Sequence, residues 1–194
     1  MQEIEYMPLT KQLLSYYQDK TYNKLSRPEL ALIKLHSIYF KAQKGDPHAL
    51  VTLYDWEQDI SNIIEGLSKQ SESFAKALQQ FGDIKVEPLG DVIRLSGNCR
   101  TAGDYIRLLI LYDKIINQLK TLYIFAILDR ASYYQQMNNC TKLLHRITGT
   151  ICHYKPDNEE LNHEKIKSAL SAEWFPSLGQ SAKQSLEIKL SKLE

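Results

Sequence analysis

From Leu50 to Phe81 the apolar residues fall at three- and four-residue steps: Leu50, Leu53, Ile60, Ile63, Ile64, Leu67, Phe74, Leu78 and Phe81. That spacing returns each side chain to one side of an α-helix, whereas a strand would need strict alternation. The stripe predicts one helix of about 30 residues, well beyond the average globular helix of about 10–14. A helix of that length cannot cover its own apolar face, so a packing partner has to run alongside. Asp46-Pro47 marks its start, and Gly66 with the Ser-rich "SKQSES" marks a place where it can break.

The natural partner is "YIRLLILYDKIINQLKTLYIFAIL", which is apolar nearly all round and so central to the fold; Thr101 is placed to cap it. Two more helices are well punctuated. Ser26-Arg27-Pro28-Glu29 starts one that runs through "ELALIKLHSIYFKAQK" to Gly45, and Asp129 starts "RASYYQQMNNCTKLLHRI", closed at Gly149. Beyond "HYKPDN" the chain turns polar, with "EELNHEKIKSAL" as a short helix and "SLGQSAKQSLEIKLSKLE" as a terminal helix or loosely held tail. The expected organisation is an N-terminal arm (1–26), a helical core (27–155) and a C-terminal segment (156–194).

One stretch breaks the helical pattern. In "DIKVEPLGDVIRLSGNCRT" (83–101), residues 84–87 and 92–96 alternate, and Pro88-Leu89-Gly90-Asp91 reads as a turn. Ile84, Val86, Ile93 and Leu95 would face one side, and Lys85, Glu87, Arg94 and Ser96 the other. The predicted fold class is therefore mainly α: a bundle of about five helices with one short β-hairpin or ribbon near 84–96.

At 194 residues the chain fits one domain, and a net charge of +1 gives no bulk attraction for nucleic acid. The charge is segregated, however. Residues 51–83 hold two Lys and six acids, net −4, and residues 84–150 hold nine Lys/Arg and five acids, net +4. Three cysteines without framework spacing point to a reducing compartment. The N-terminus lacks the basic start and long apolar core of a signal peptide. The longest apolar run, "LYIFAIL" (122–128), is far short of the roughly 20 residues of a membrane span. A cytoplasmic protein that does not enter the membrane is expected.

No phosphate loop, nucleophile elbow or CxxC pair occurs. Cys140, His145, Cys152 and His153 do not have the spacing of a metal site, and Asp55 and Asp59 read as solvated helix surface. The expectation is no enzyme, no cofactor and no metal. The basic residues of the middle are more suggestive. Lys85 and Arg94 on the ribbon, Arg100 in the following loop and Arg107 in the next helix could meet phosphates and base edges together. Lys142 and Arg146 lie four apart on the later helix, near Tyr133 and Tyr134. The competing account of all these residues is a solvated face that balances the acidic helix.

Three segments carry a family resemblance: "KGDPHALVTLYDWEQDI", "LGDVIRLSGNCRTAGDYIRLLILYDKIINQL" with its "YDKII", and "AILDRASYYQQMNNCTKLLHRI" followed by Tyr154. Together they resemble the AcaB-like family of regulators and uncharacterised proteins of integrating conjugative elements and conjugative plasmids, over roughly residues 29–156. The resemblance implies a DNA-binding transcriptional regulator of a conjugative element, dimeric, reading DNA through a ribbon-helix-helix element. The residues assigned to DNA are then Lys85, Arg94, Arg100 and Arg107. The other expectation is a helical scaffold or interaction protein of a conjugation or secretion system, with a protein partner from the same element.

Overall fold

The computed structural model describes residues 2–20, 24–82, 84, 86–155 and 163–171, and the single positions 184, 187, 188 and 191. In chain order these residues form β1 (Gln2–Tyr6), α1 (Lys11–Gln18), α2 (Arg27–Gln43), α3 (Pro47–Gln79), β2 (Ile93–Gly97), α4 (Arg100–Ile124), α5 (Arg130–His153) and α6 (His163–Leu170). The fold is mainly α, with six helices and a two-stranded antiparallel sheet.

The start signals work as the residue chemistry requires. Ser26 and Glu29 form a reciprocal capping box at α2, with Pro28 in the first turn. The Asp46 carboxylate accepts from the amides of His48 (3.0 Å) and Ala49 (3.3 Å), and Asp129 accepts from the Ser132 amide at 2.8 Å. α4 differs: its N-cap is Cys99, without a side-chain cap bond, and Thr101 is buried inside the first turn. Thr101 is therefore a core residue rather than a cap.

α3 is the long helix that the stripe demands, 33 residues without a break. Gly66 and the Ser-rich segment stay helical, and the neighbouring helix holds the latter. The Ser71 hydroxyl donates to Gln118 Oε1 (2.9 Å), and Gln118 Nε2 donates back to the Ser71 carbonyl (3.1 Å). α3 and α4 are the most extensively packed pair, so this buried clasp sets their register. Leu50 through Phe74 of the stripe are buried, whereas Phe81 lies past the helix end and is exposed. α5 runs through Gly149 to His153. It is held against α4 by two Tyr–Thr pairs seven residues apart on each helix, Tyr105 with Thr148 (2.8 Å) and Tyr112 with Thr141 (3.0 Å). A glycine in a helix packed on both sides of it costs only about 1 kcal/mol, too little to end that helix.

The pairing of 84–87 with 92–96 is corrected. β2 pairs with the N-terminal β1, antiparallel, with Ile4 opposite Leu95, Glu5 opposite Arg94 and Tyr6 opposite Ile93. Ile84 and Val86 lie outside any strand. The alternation in β2 holds, with Ile93 and Leu95 buried and Arg94 exposed, but its partner arrives from the far end of the sequence. The Pro88–Asp91 turn is docked instead on the link between β1 and α1, where the Leu89 amide donates to the Pro8 carbonyl (2.9 Å).

The first residues are therefore built into the core, and the reason is Asp113 of α4. This carboxylate is fully buried. It accepts from the Tyr6 hydroxyl (2.9 Å), the Leu9 amide (2.6 Å) and the Thr10 hydroxyl. Thr10 in turn caps α1, whose Leu13 is buried.

Candidate nucleic-acid interface

α4 carries its apolar positions on several sides, burying Ala102, Tyr105, Ile106, Leu108 and Leu109 in its first half. The face left open contains Arg100, Gly103, Arg107 and Lys114, all exposed. Seven residues are about two turns, so Arg100, Arg107 and Lys114 stand in line at intervals of about 10 Å along the helix. One acid, the half-buried Asp104, lies beside the line.

The three differ in what holds them. Arg100 Nε lies 3.0 Å from Glu57 Oε1, and Glu57 is buried on α3. The pair fixes the guanidinium at the start of α4, where the helix dipole favours a negative group. Arg107 and Lys114 make no ion pair among the described residues. Beside Arg100 an open depression of about 430 Å³ is lined by Ile4, Gly97, Asn98, Cys99, Gly103 and Ile106.

Arg94 is placed differently. It lies on the outer face of the ribbon, 3.3 Å from its cross-strand neighbour Glu5. Glu3 is exposed on that same face, and Glu29 lines the hollow next to Arg94 together with Tyr17 and Lys20. The surroundings of Arg94 are acidic rather than basic. Lys85 lies outside the described residues. The structure thus aligns Arg100 with Arg107, sets Arg94 apart, and adds Lys114, which sequence reasoning missed. The signal for Lys114 was there, as it follows Arg107 by the same seven residues that separate Arg107 from Arg100.

α5 has no acid anywhere along its length. Arg146 lines a groove with Asp59 and Asn62 of α3. Tyr133 and Tyr134, at the start of α5, belong to an aromatic cluster with Tyr123, about two turns from Lys142 and about three from Arg146. His145 stacks on Tyr16 with ring centroids 4.7 Å apart, and burial, with Arg27 nearby, pushes its pKa down. Among the described residues no group of His, Cys, Asp and Glu could hold a metal ion. No described helix is long and apolar enough to cross a membrane.

The described residues thus form a helical bundle clasped by a two-stranded ribbon, with a basic line on its central helix. A family model described as transcriptional regulator AcaB matches residues 19–171, which span α2 to α6 with β2. The chain belongs to the AcaB transcriptional regulator family. The crystal structure of selenomethionine-containing AcaB from uropathogenic E. coli is similar, with a TM-score of 0.58 and 13% sequence identity, over 100% of this chain and 97% of that one. At that identity the likeness concerns the fold. No curated protein matches the chain.

Proposed function

We propose that the chain is a DNA-binding transcriptional regulator of a conjugative mobile element, a cytoplasmic homodimer without enzymatic activity. The family supports regulation, and the observation that carries DNA contact is the line of Arg100, Arg107 and Lys114 on the open face of α4. Arg107 and Lys114 take backbone phosphates, and Arg100, held by Glu57, presents a pre-oriented donor where the helix N-terminus also favours an anion. Lys85 and Arg94 complete the set read from the sequence. The Arg94 charge is offset by Glu5, so its share is the smaller one.

The test is a fluorescence anisotropy titration with duplex DNA from the element's own promoters and with random duplex, across a salt series. Each phosphate contact contributes about 0.9 to the slope of log K against log salt, so Arg107→Ala and Lys114→Ala are each expected to flatten it by about one. Arg94→Ala is expected to change it less. Absence of binding at low salt, or slopes unchanged in both α4 variants, overturns the reading.

The second reading, a helical interaction protein of a conjugation system, is favoured by exposed aromatic side chains at one end of the bundle. It predicts co-purification with another protein of the element and no DNA binding at low salt.

A further inference from the structure

The apolar run "LYIFAIL" ends up where an apolar run is least expected. Leu122 is buried, but Tyr123, Ile124, Phe125 and Ile127 are all exposed at the end of α4. Phe81, beyond α3, stacks on Phe125 with ring centroids 4.8 Å apart, and Tyr134 at the start of α5 extends the surface through Tyr133 and Tyr123. Two ring stacks, Phe81 with Phe125 and Tyr123 with Tyr134 through Tyr133, thus gather six exposed apolar side chains where α3 and α4 end and α5 begins.

The backbone that presents them is itself costly. Ala126 has φ of 54°, a left-handed conformation that costs an L-residue about 1–2 kcal/mol. That turn separates Phe125 from Ile127 and keeps both at the surface. The stretch 121–128 carries no charge, and the charges at its border, Lys120, Asp129 and Arg130, are of both signs. A surface of this kind offers nothing to a strongly charged partner and matches a copy of itself.

The area supports the same occupant. The six side chains are between 37% and 67% exposed. At roughly 150–250 Å² for side chains of this size, they leave about 500 Å² open. That is near the top of the range for the largest patch on a monomer, about 300–600 Å². A standard interface buries about 800 Å² per partner. In homodimer interfaces roughly 65% of that area is apolar, which is again about 500 Å². The rim residues supply the remainder.

We propose that this aromatic end is the homodimer interface of the protein, formed between two copies of the same surface about a two-fold axis. The inference gives a surface to the dimer of the proposed function and rests on that reading only for the existence of a dimer. Its test contains no DNA, so its failure and a failure of DNA binding are separable.

Sedimentation equilibrium of the full chain over about 1–100 μM measures the state of association, with wild type, Ile124→Glu, Tyr134→Ala and the control Ile33→Glu, whose side chain is exposed on α2. Ile124 is the most exposed of the six and sits at a helix end, so a charge there is expected to leave the fold intact, with circular dichroism as the check. The expected result is a wild-type dimer, a dimer for Ile33→Glu, and at least tenfold weaker association for Ile124→Glu and Tyr134→Ala. A wild-type monomer throughout the range overturns the proposal. So does a dimer that both interface variants leave unchanged.

Discussion

Replacing Asp113 by alanine should open the N-terminus of this protein without melting its centre. Three donors lose their acceptor: the Tyr6 hydroxyl, the Leu9 amide and the Thr10 hydroxyl. A buried donor left without a partner costs about 1–3 kcal/mol. Thr10 is buried and bears the full cost, while Tyr6 and Leu9 are partly exposed and recover some of it from water. Together the loss is about 3–5 kcal/mol. Apart from Asp113, β1 is held by the five-residue ladder to β2 and by the half-buried Ile4 and Tyr6, which pack against the core. The loss therefore falls on local opening of residues 2–10 before it falls on α3 and α4.

Amide hydrogen exchange separates the two outcomes. At about 1.4 kcal/mol per factor of ten, protection of the β1–β2 amides should drop by about two to three and a half orders of magnitude. Protection of Leu108 to Leu119 in α4 should fall by much less. Asp113→Asn keeps the shape and leaves one oxygen to accept, so it is expected to lose only about 1–2 kcal/mol, the difference between charge-assisted and neutral bonds. A drop in β1–β2 protection of less than tenfold in the alanine variant would refute the latch. An asparagine variant more stable than wild type would refute the energetics, because burying the carboxylate would then cost more than its three bonds return.

Two further outcomes follow from packing and burial. Burial, acting first, and the facing Asp113 push the Tyr6 phenol above the ordinary tyrosine range, while burial brings Tyr16 and Tyr17 up to about 12. A phenol whose pKa is raised by folding contributes stability that is complete below the ordinary value of 10.0 and lost as pH climbs through the folded value. Thermal melts should therefore hold steady to about pH 10 and fall above it, with late-titrating phenols in the absorbance at 295 nm; one early transition for all twelve tyrosines would contradict this. At Gly97 a Cβ would come 3.2 Å from Ile106 Cδ1 and 3.4 Å from the Gly103 amide. Gly97→Ala should cost under about 1 kcal/mol in urea unfolding, because the Ile106 end can yield, and the bulkier Gly97→Val about 1–3 kcal/mol by forcing β2 off α4. Equal effects for the two variants would show that the approach is not tight.

What could be read in the sequence was whatever depends on neighbours along the chain. The stripe on α3, the caps at Ser26, Asp46 and Asp129, and the alternation of Ile93, Arg94 and Leu95 are all local patterns, and the structure contains them. The ribbon's second strand was not legible. Tyr6 and Asp113 are 107 residues apart, and Asp113 inside "YDKII" looks like an ordinary surface acid until its three donors are known. The same limit acted on the basic residues. Arg100 and Arg107 share a helix face, so their alignment follows from periodicity, as does that of Lys114. The environment of Arg94 depends on which strand lies across from it, and that strand brought Glu5.

This last point bears on how a regulator of this fold can meet DNA. A ribbon entering the major groove carries its outer face past two phosphate backbones. Here that face has Glu3 and Glu5 against Arg94, two acids to one base, and Arg94 already faces Glu5 at 3.3 Å. Its approach to phosphate is repulsive on balance. The other side of the ribbon, with Ile93 and Leu95, is packed into the core. On the proposed reading the ribbon's larger contribution is mechanical: it ties the first residues to the start of α4, next to the loop of Gly97 to Cys99 from which Arg100 emerges. On that reading the ribbon sets the position of the basic line, and the line on α4 makes the contact.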